Sequence, residues 1–111
     1  MSALHTPRPW EVGVEGNGTP GYVYCNNGLG SAVAIVYGKA LPYTVFSRAE
    51  EEANARLIAA APELLAALIQ CQDQFRFYAD EHAKAGKAMK AATNQSFADL
   101  AQAAINRATA P

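Results

Sequence analysis

The feature that most constrains the fold of this chain is an abrupt change of composition near residue 47. Residues 1–46 hold seven of the eight glycines and four of the five tyrosines, whereas residues 47–111 hold 20 of the 24 alanines and 15 of the 19 charged residues. Glycine and tyrosine favour turns and strands, and alanine favours helices. The order predicts an α+β fold in a single domain over 1–111, with a β part over 1–46 and a helical part over 47–111.

Length and charge exclude several classes of protein. The chain has 111 residues, nine basic and ten acidic, with a formal net charge of -1. Non-specific nucleic-acid binding needs a strong positive field, so we expect no nucleic-acid partner. No apolar run approaches the length of a membrane span, and the first residues lack a signal-peptide pattern. We therefore expect a cytoplasmic protein with no membrane partner, in which Cys25 and Cys71 are both reduced and buried.

Alternation and turn residues predict three strands in the β part, which should form a small antiparallel sheet. Residues 10–15 alternate apolar and polar side chains, residues 22–25 form a short second strand, and residues 32–37 are almost entirely apolar. We expect the strand over 32–37 to be the central, most buried one. The turn over 26–28 indicates a hairpin, and residues 43–46 form either a fourth strand or an extended approach to the first helix.

Capping and breaking residues predict a kinked long helix followed by a second, C-terminal helix. Ser47 and Glu50 have the spacing of a capping box, and the first turn is acidic. Pro62 ends one helix or starts the next, so a short helix and a kink precede a longer helix that ends near Lys84. Gly86 marks a connection, after which the last helix is expected to run from residue 94 or 96 to 108.

Both long helices carry apolar residues at three- and four-residue spacing, which indicates buried stripes. The first stripe comprises Leu64, Leu65, Leu68, Ile69, Gln72 and Phe75, extended backward by Leu57, Ile58 and Ala61. The second comprises Phe97, Leu100, Ala101, Ala104, Ile105 and Ala108. Phe77 and Tyr78 fall off the first stripe, so they are expected at a pocket or a partner subunit. We expect a homo-oligomer, either a homodimer or a higher even oligomer. Its contact should contain Phe77, Tyr78 or the last helix.

The sequence contains no pattern typical of a catalytic or cofactor site. It lacks a phosphate-binding P-loop, a nucleophile elbow and a paired cysteine or histidine spacing for zinc. The glycine-rich turn over 28–31 is not followed by a predicted helix that would hold a phosphate. Asp80, Glu81 and His82 have the side chains of a hydrolase site, but consecutive residues on a helix point in different directions and do not converge on a substrate. We therefore expect no enzyme activity, no cofactor and no metal.

Two stretches resemble a large group of small tailed-phage and prophage proteins. Residues 5–10, His-Thr-Pro-Arg-Pro-Trp, resemble that group's opening His-Thr-Pro-Gly-Pro-Trp, with Arg8 in place of the usual glycine. Residues 54–65, Asn-Ala-Arg-Leu-Ile-Ala-Ala-Ala-Pro-Glu-Leu-Leu, match its second hallmark closely. The resemblance implies a phage protein in the host bacterial cytoplasm, and most members of the group have no assigned activity.

The order of strands followed by long helices is also similar to phage anti-defence sponges of the anti-Thoeris and anti-CBASS type. That resemblance implies an oligomer that binds a cyclic nucleotide or ADP-ribose-type immune signal without cleaving it, and it carries over no ligand-binding residue. The alternatives are a phage inhibitor that binds a host defence protein directly, in the manner of an anti-CRISPR protein, and a small structural or regulatory phage protein.

A site for a phosphate-bearing adenine ligand needs an aromatic face, arginines and an amide. We expect it between residues 5–10, here called the N-terminal arm, the sheet and the N-terminus of the first helix, where the helix dipole favours an anion. The candidate ligand-binding residues are His5, Arg8, Trp10, Arg48, Asn54, Arg56 and, failing those, Arg107. Asn54 and Arg56 have a structural alternative, in which one holds the arm and the other reaches solvent or pairs with Glu52.

Overall fold

The α+β order is confirmed. The computed structural model describes residues 5–13, 22–25, 31–35 and 48–110, with all their side chains except those of Ile35 and Arg48. Its elements are β1 (Trp10–Val12), β2 (Tyr22–Cys25), β3 (Ala32–Ile35), α1 (Arg48–Ala59), α2 (Ala61–Lys84) and α3 (Ala88–Thr109). The predicted hairpin over 26–28, the strand or extended segment over 43–46 and the Ser47 cap lie outside the described residues.

The chain divides into two compact units. The described residues between 5 and 63 form one, here called the sheet unit, and residues 64–110 form the other, here called the helical unit.

The sheet unit is an antiparallel meander on which α1 packs. The strand order is β1-β2-β3, and α1 contacts β1 and β2. Its core contains Val23 and Cys25 of β2 and Ala55 of α1, and Val23 is fully buried. Period-two alternation explains this core, because every second side chain of β2 points to the same face of the sheet.

The central strand is β2, so the expectation that the strand at 32–37 is central was wrong. Within the described part of the sheet β3 pairs with β2 alone, Ala32 is exposed, and Val33 and Ala34 are half-buried. Two successive antiparallel connections place the middle strand of the chain in the middle of the sheet, whatever its composition. A register irregularity between Val23 and Tyr24 leaves Val33 as an extra residue opposite them.

The predicted break in the long helix is confirmed. Helix α1 ends at Ala59, α2 begins at Ala61, and Pro62 is the second residue of α2. Proline fits the first turn of a helix because the backbone N–H it lacks has no partner there. The amide of Ala60 still donates to the carbonyl of Arg56 at 3.0 Å, which closes the last turn of α1.

The helical unit contains an antiparallel pair of helices. Helices α2 and α3 are joined by residues 85–87, in which Gly86 has a φ of +75° that favours glycine. The rings of Phe75 and Phe97 are 5.3 Å apart, and Gln72 donates to Gln102, so residue numbers run in opposite directions along the contact.

Helix α3 begins at Ala88, six to eight residues before the predicted start. Alanines at positions 88, 91 and 92 favour helix strongly enough to offset Lys87, whose side chain caps nothing. Ser96 lies inside the helix and does not cap it.

The predicted stripes are confirmed in part: Gln72, Ala101 and Ile105 are buried as expected, and Leu65, Leu68, Ile69 and Phe75 are half-buried. The buried residues of α3 are Ala98, Ala101 and Ile105, whereas Leu100 is 70% exposed and Phe97 is 48% exposed. The exposed residues Leu57, Leu64, Ala61, Ala104 and Ala108 also leave the predicted stripes. Gln72 does lie in the buried line of α2, together with Ala79. The buried positions of α2 and α3 thus include alanines from both helices, while larger apolar side chains of α3 are exposed.

The two cysteines differ. Both are free thiols, and Cys25 is buried as expected, but Cys71 is exposed. Cys71 precedes the buried Gln72, and one residue turns a helix by about 100°, which carries the cysteine to solvent.

Candidate functional site

The N-terminal arm, residues 5–10, contains a contact between two of the predicted site residues. The ring of Trp10 lies edge-on to the ring of His5, with centroids 6.1 Å apart and an interplanar angle of 90°. The carbonyl of Thr6 accepts from Trp10 Nε1 at 3.1 Å and from His5 Nδ1 at 2.8 Å. One backbone oxygen thus holds both aromatic side chains, and the two rings form an open corner.

Sheet register fixes the base of this corner. Trp10 is the first residue of β1 and lies opposite Cys25, while Val12 lies opposite Val23. Directly paired residues share a face of the sheet, so Trp10 lies on the same face as the buried Val23 and Cys25. Trp10 is accordingly half-buried, whereas His5 is exposed.

The predicted arginines belong to different segments of the chain: the arm, α1 and α3. Arg8 is exposed within the arm, between the two rings in sequence, and the Arg8–Pro9 peptide bond is cis. Arg48 is the first residue of α1, and its side chain is not among those that the structure describes. Arg107 is exposed in the last turn of α3, which belongs to the helical unit.

The two candidates inside α1 are separated by the helix itself. Asn54 is half-buried and Arg56 is exposed, on either side of the buried Ala55. Within the described residues no ion pair joins Arg56 to Glu52. The structure therefore brings His5 and Trp10 together in the arm, which also carries the exposed Arg8, and within the described residues it records no contact between the arm and Asn54 or Arg56.

Sequence reasoning missed the tyrosine pair on β2. The rings of Tyr22 and Tyr24 stack with centroids 5.9 Å apart and an interplanar angle of 19°, and both are half-buried. They alternate with Val23, so they lie on the face of the sheet opposite the core. A period-two pattern with tyrosine at every second position was the available signal.

A polar network in the helical unit was also missed. The side-chain oxygen of Gln102 accepts from Gln72 and, at 3.0 Å, from Arg76, while its nitrogen donates to Asn106 at 2.7 Å. Gln72 is buried, so this bond satisfies a polar group that water does not reach. The network is explained by packing of the helix pair.

The described residues contain neither a metal-binding cluster nor a helix that could span a membrane. They contain no group of three or more histidine, cysteine, aspartate or glutamate side chains placed to hold a metal ion. Among the described helices, none has both the length and the apolar character needed to cross a bilayer.

Comparison with known proteins finds one family. The chain matches the family described as Salmonella phage P22 protein Y8K6 over residues 1–111. No curated protein and no solved structure matches the chain.

Proposed function

The chain belongs to the Salmonella phage P22 protein Y8K6 family, and from that premise we propose that it is a phage accessory protein that acts by binding. In this proposal the protein sequesters a cyclic nucleotide or ADP-ribose-type immune signal of the host and does not cleave it.

The observation that carries the proposal is the open corner formed by His5 and Trp10. Two aromatic rings at 90°, both bound to the Thr6 carbonyl, offer a face and an edge to a nucleobase. Rings fixed before binding lose little conformational entropy when a ligand stacks on them. The exposed Arg8 in the same arm supplies a guanidinium, which suits a phosphate because it can donate two parallel hydrogen bonds.

Charge favours the arm over the N-terminus of α1 as the phosphate subsite. The dipole of α1 and the position of Arg48 attract an anion. The first turn also carries Glu50 and Glu51, whose negative charges oppose a phosphate. The arm contains a cation and no carboxylate, so we assign the phosphate contact to Arg8 first and to Arg48 second.

Uptake of intact ligand tests the proposal. The purified protein is incubated with cyclic ADP-ribose and a panel of cyclic di- and trinucleotides, separated from free ligand by gel filtration, and heated to release what it holds. Mass spectrometry of the released fraction should recover intact ligand. Recovery of cleaved ligand would indicate an enzyme, and absence of uptake would favour a protein-binding, structural or regulatory role.

A second candidate function, direct inhibition of a host defence protein, is favoured by the exposed apolar side chains of α3. Met89 is 86% exposed and Leu100 is 70% exposed, and both lie on the side of α3 away from the buried Ile105. Such a face suits a partner protein, and this second function applies only if a second copy of the chain does not cover the face.

We propose that a second copy covers this face of α3 in a homodimer. Light scattering at micromolar concentration should give twice the 11.8 kDa chain mass, and Leu100→Glu should restore the monomer because it places a charge in the contact. A native mass of 11.8 kDa would contradict the dimer and leave the face available to a host protein.

A further inference from the structure

The side of α2 that faces away from α3, here called the outer face, presents an aromatic pair. Residues of the outer face at helical spacing line a shallow groove, and the last two of them are the aromatic pair: Gln70, Asp73, Gln74, Phe77 and Tyr78. Gln72 and Phe75, which contact α3, lie on the opposite side of the helix. The groove therefore belongs to the helical unit and is independent of the proposed arm site.

The aromatic side chains of the outer face are exposed and ordered against each other. Phe77 is 54% exposed and Tyr78 is 50% exposed. Their ring centroids are 5.6 Å apart with an interplanar angle of 64°. This edge-to-face arrangement leaves ring surface available to a partner.

Acidic side chains flank Phe77. Asp73 and Asp80 lie four residues before it and three residues after it, and both are exposed. Within the described residues neither carboxylate has an ion pair. Glu81 lies 3.5 Å from Lys84, in a pair that is largely exposed. Arg76, three residues after Asp73 and four before Asp80, instead donates to Gln102 at 3.0 Å.

Charge argues against a second copy of α2 as the occupant. In an antiparallel two-fold pairing centred on Phe77, residues at equal distance from the centre oppose each other. Asp73 and Glu81 each lie four residues from Phe77, so they would face each other in both halves of the contact. Like charges placed opposite each other destabilise an interface. The same acidic flank also repels nucleic acid and anionic lipid.

We infer that the outer face of α2 docks a cationic protein segment that carries arginine and apolar side chains. A guanidinium stacks on aromatic rings and binds carboxylates in a bidentate manner, so arginine complements both Phe77 and the flanking aspartates. Apolar side chains of the partner fill the groove that Phe77 and Tyr78 help to line.

Fluorescence anisotropy with designed peptides tests this inference. The probe is a labelled 18-residue helical peptide of arginine and leucine at three- and four-residue spacing, and the matched probe has glutamate in place of each arginine. The native protein should bind the arginine peptide saturably and show no binding of the glutamate peptide. Asp73→Asn with Asp80→Asn, and separately Phe77→Ala, should each weaken binding about tenfold, or about 1.4 kcal/mol.

A charge-matched variant separates local recognition from net charge. Glu11→Gln with Asp99→Asn removes two exposed carboxylates from β1 and α3, and it should change affinity less than twofold. Because all the substituted residues are exposed, the circular-dichroism melting curves should coincide with that of the native protein. The inference is overturned if the native protein does not bind the arginine peptide, if both double variants lose affinity equally, or if Phe77→Ala binds like the native protein.

Discussion

The sheet unit and the helical unit place their aromatic and polar residues in opposite ways. In the sheet unit a few small and medium side chains, among them Val23 and Ala55, are buried, and the aromatic Trp10 lies at the rim, where a backbone carbonyl orients it. In the helical unit a polar side chain, Gln72, is buried, and large apolar side chains such as Leu100 are exposed.

This difference separates two kinds of binding. In our proposals the oriented pair of rings, with an arginine in the same segment, binds a small anionic ligand, and the exposed faces of the long helices bind proteins.

The largest expected effect is on the stability of the helical unit. Ile105 is fully buried, so Ile105→Ala should lower the free energy of unfolding by about 2–5 kcal/mol, through lost apolar burial and the cavity left behind. Lys90→Ala, at an exposed position of the same helix outside the face proposed for the dimer, is the control and should cost less than about 1 kcal/mol. Urea denaturation followed by circular dichroism measures both, and equal costs would contradict the phase assigned to α3.

Each unit contains one cysteine, so thiol reactivity compares them directly. Cys71 is exposed and Cys25 is buried, and a buried thiol reacts only when its surroundings open. A chromogenic thiol reagent should modify one cysteine per chain rapidly and the second roughly a hundredfold more slowly, with both reacting fast in denaturant. Cys71→Ser should abolish the fast phase; if it leaves that phase intact, the burial described for Cys25 is wrong.

Arginine substitutions test where the ligand lies. Arg8→Ala and Arg48→Ala should each weaken binding of the recovered ligand by about 1.5–3 kcal/mol, the value of a lost charge-assisted hydrogen bond. Arg107→Ala, in the helical unit, should leave the affinity unchanged. Calorimetric titration of the three variants measures this. Full affinity in both Arg8→Ala and Arg48→Ala would move the site elsewhere, and Arg107 would be the next residue to consider.

The smallest effect concerns the polar contact between α2 and α3. Gln102→Ala removes the acceptor of the buried Gln72 amide, and we expect a loss of about 1 kcal/mol because water can enter at the half-buried position 102. Gln72→Leu with Gln102→Leu should recover most of that loss by removing donor and acceptor together. Thermal melting compares the variants. A double variant less stable than Gln102→Ala would mean that the network specifies the packing of the pair.

The sequence predicts the order of elements well and their packing less well. The composition change and Pro62 are local signals, so the sheet, the helices and the break between α1 and α2 could be predicted. The start of α3 could not, because lysines around Gly86 resemble a solvated connection although alanines continue the helix. Its phase could not either, since alanine occurs on every side of α3 and the large residues Phe97 and Leu100 are not the buried ones.

Some residues of the candidate site could also be predicted, because they lie close together in the sequence. His5, Arg8 and Trp10 lie within six residues, so their proximity follows from the sequence. The role of the Thr6 carbonyl depends on how the backbone folds, and no side-chain pattern indicates it. The stack of Tyr22 on Tyr24 and the bond between Gln72 and Gln102 depend on strand faces and helix register, which only the folded chain defines.

Emission from Trp10 tests the central claim most directly, because Trp10 is the single tryptophan of the chain and forms the candidate corner. The protein is titrated with cyclic ADP-ribose and with each cyclic nucleotide of the uptake panel. We predict a saturable change in Trp10 emission with at least one of them, at one ligand per chain and with an affinity that Arg8→Ala lowers. Unchanged emission across the panel, with the native circular-dichroism spectrum retained, would contradict a ligand site at the arm.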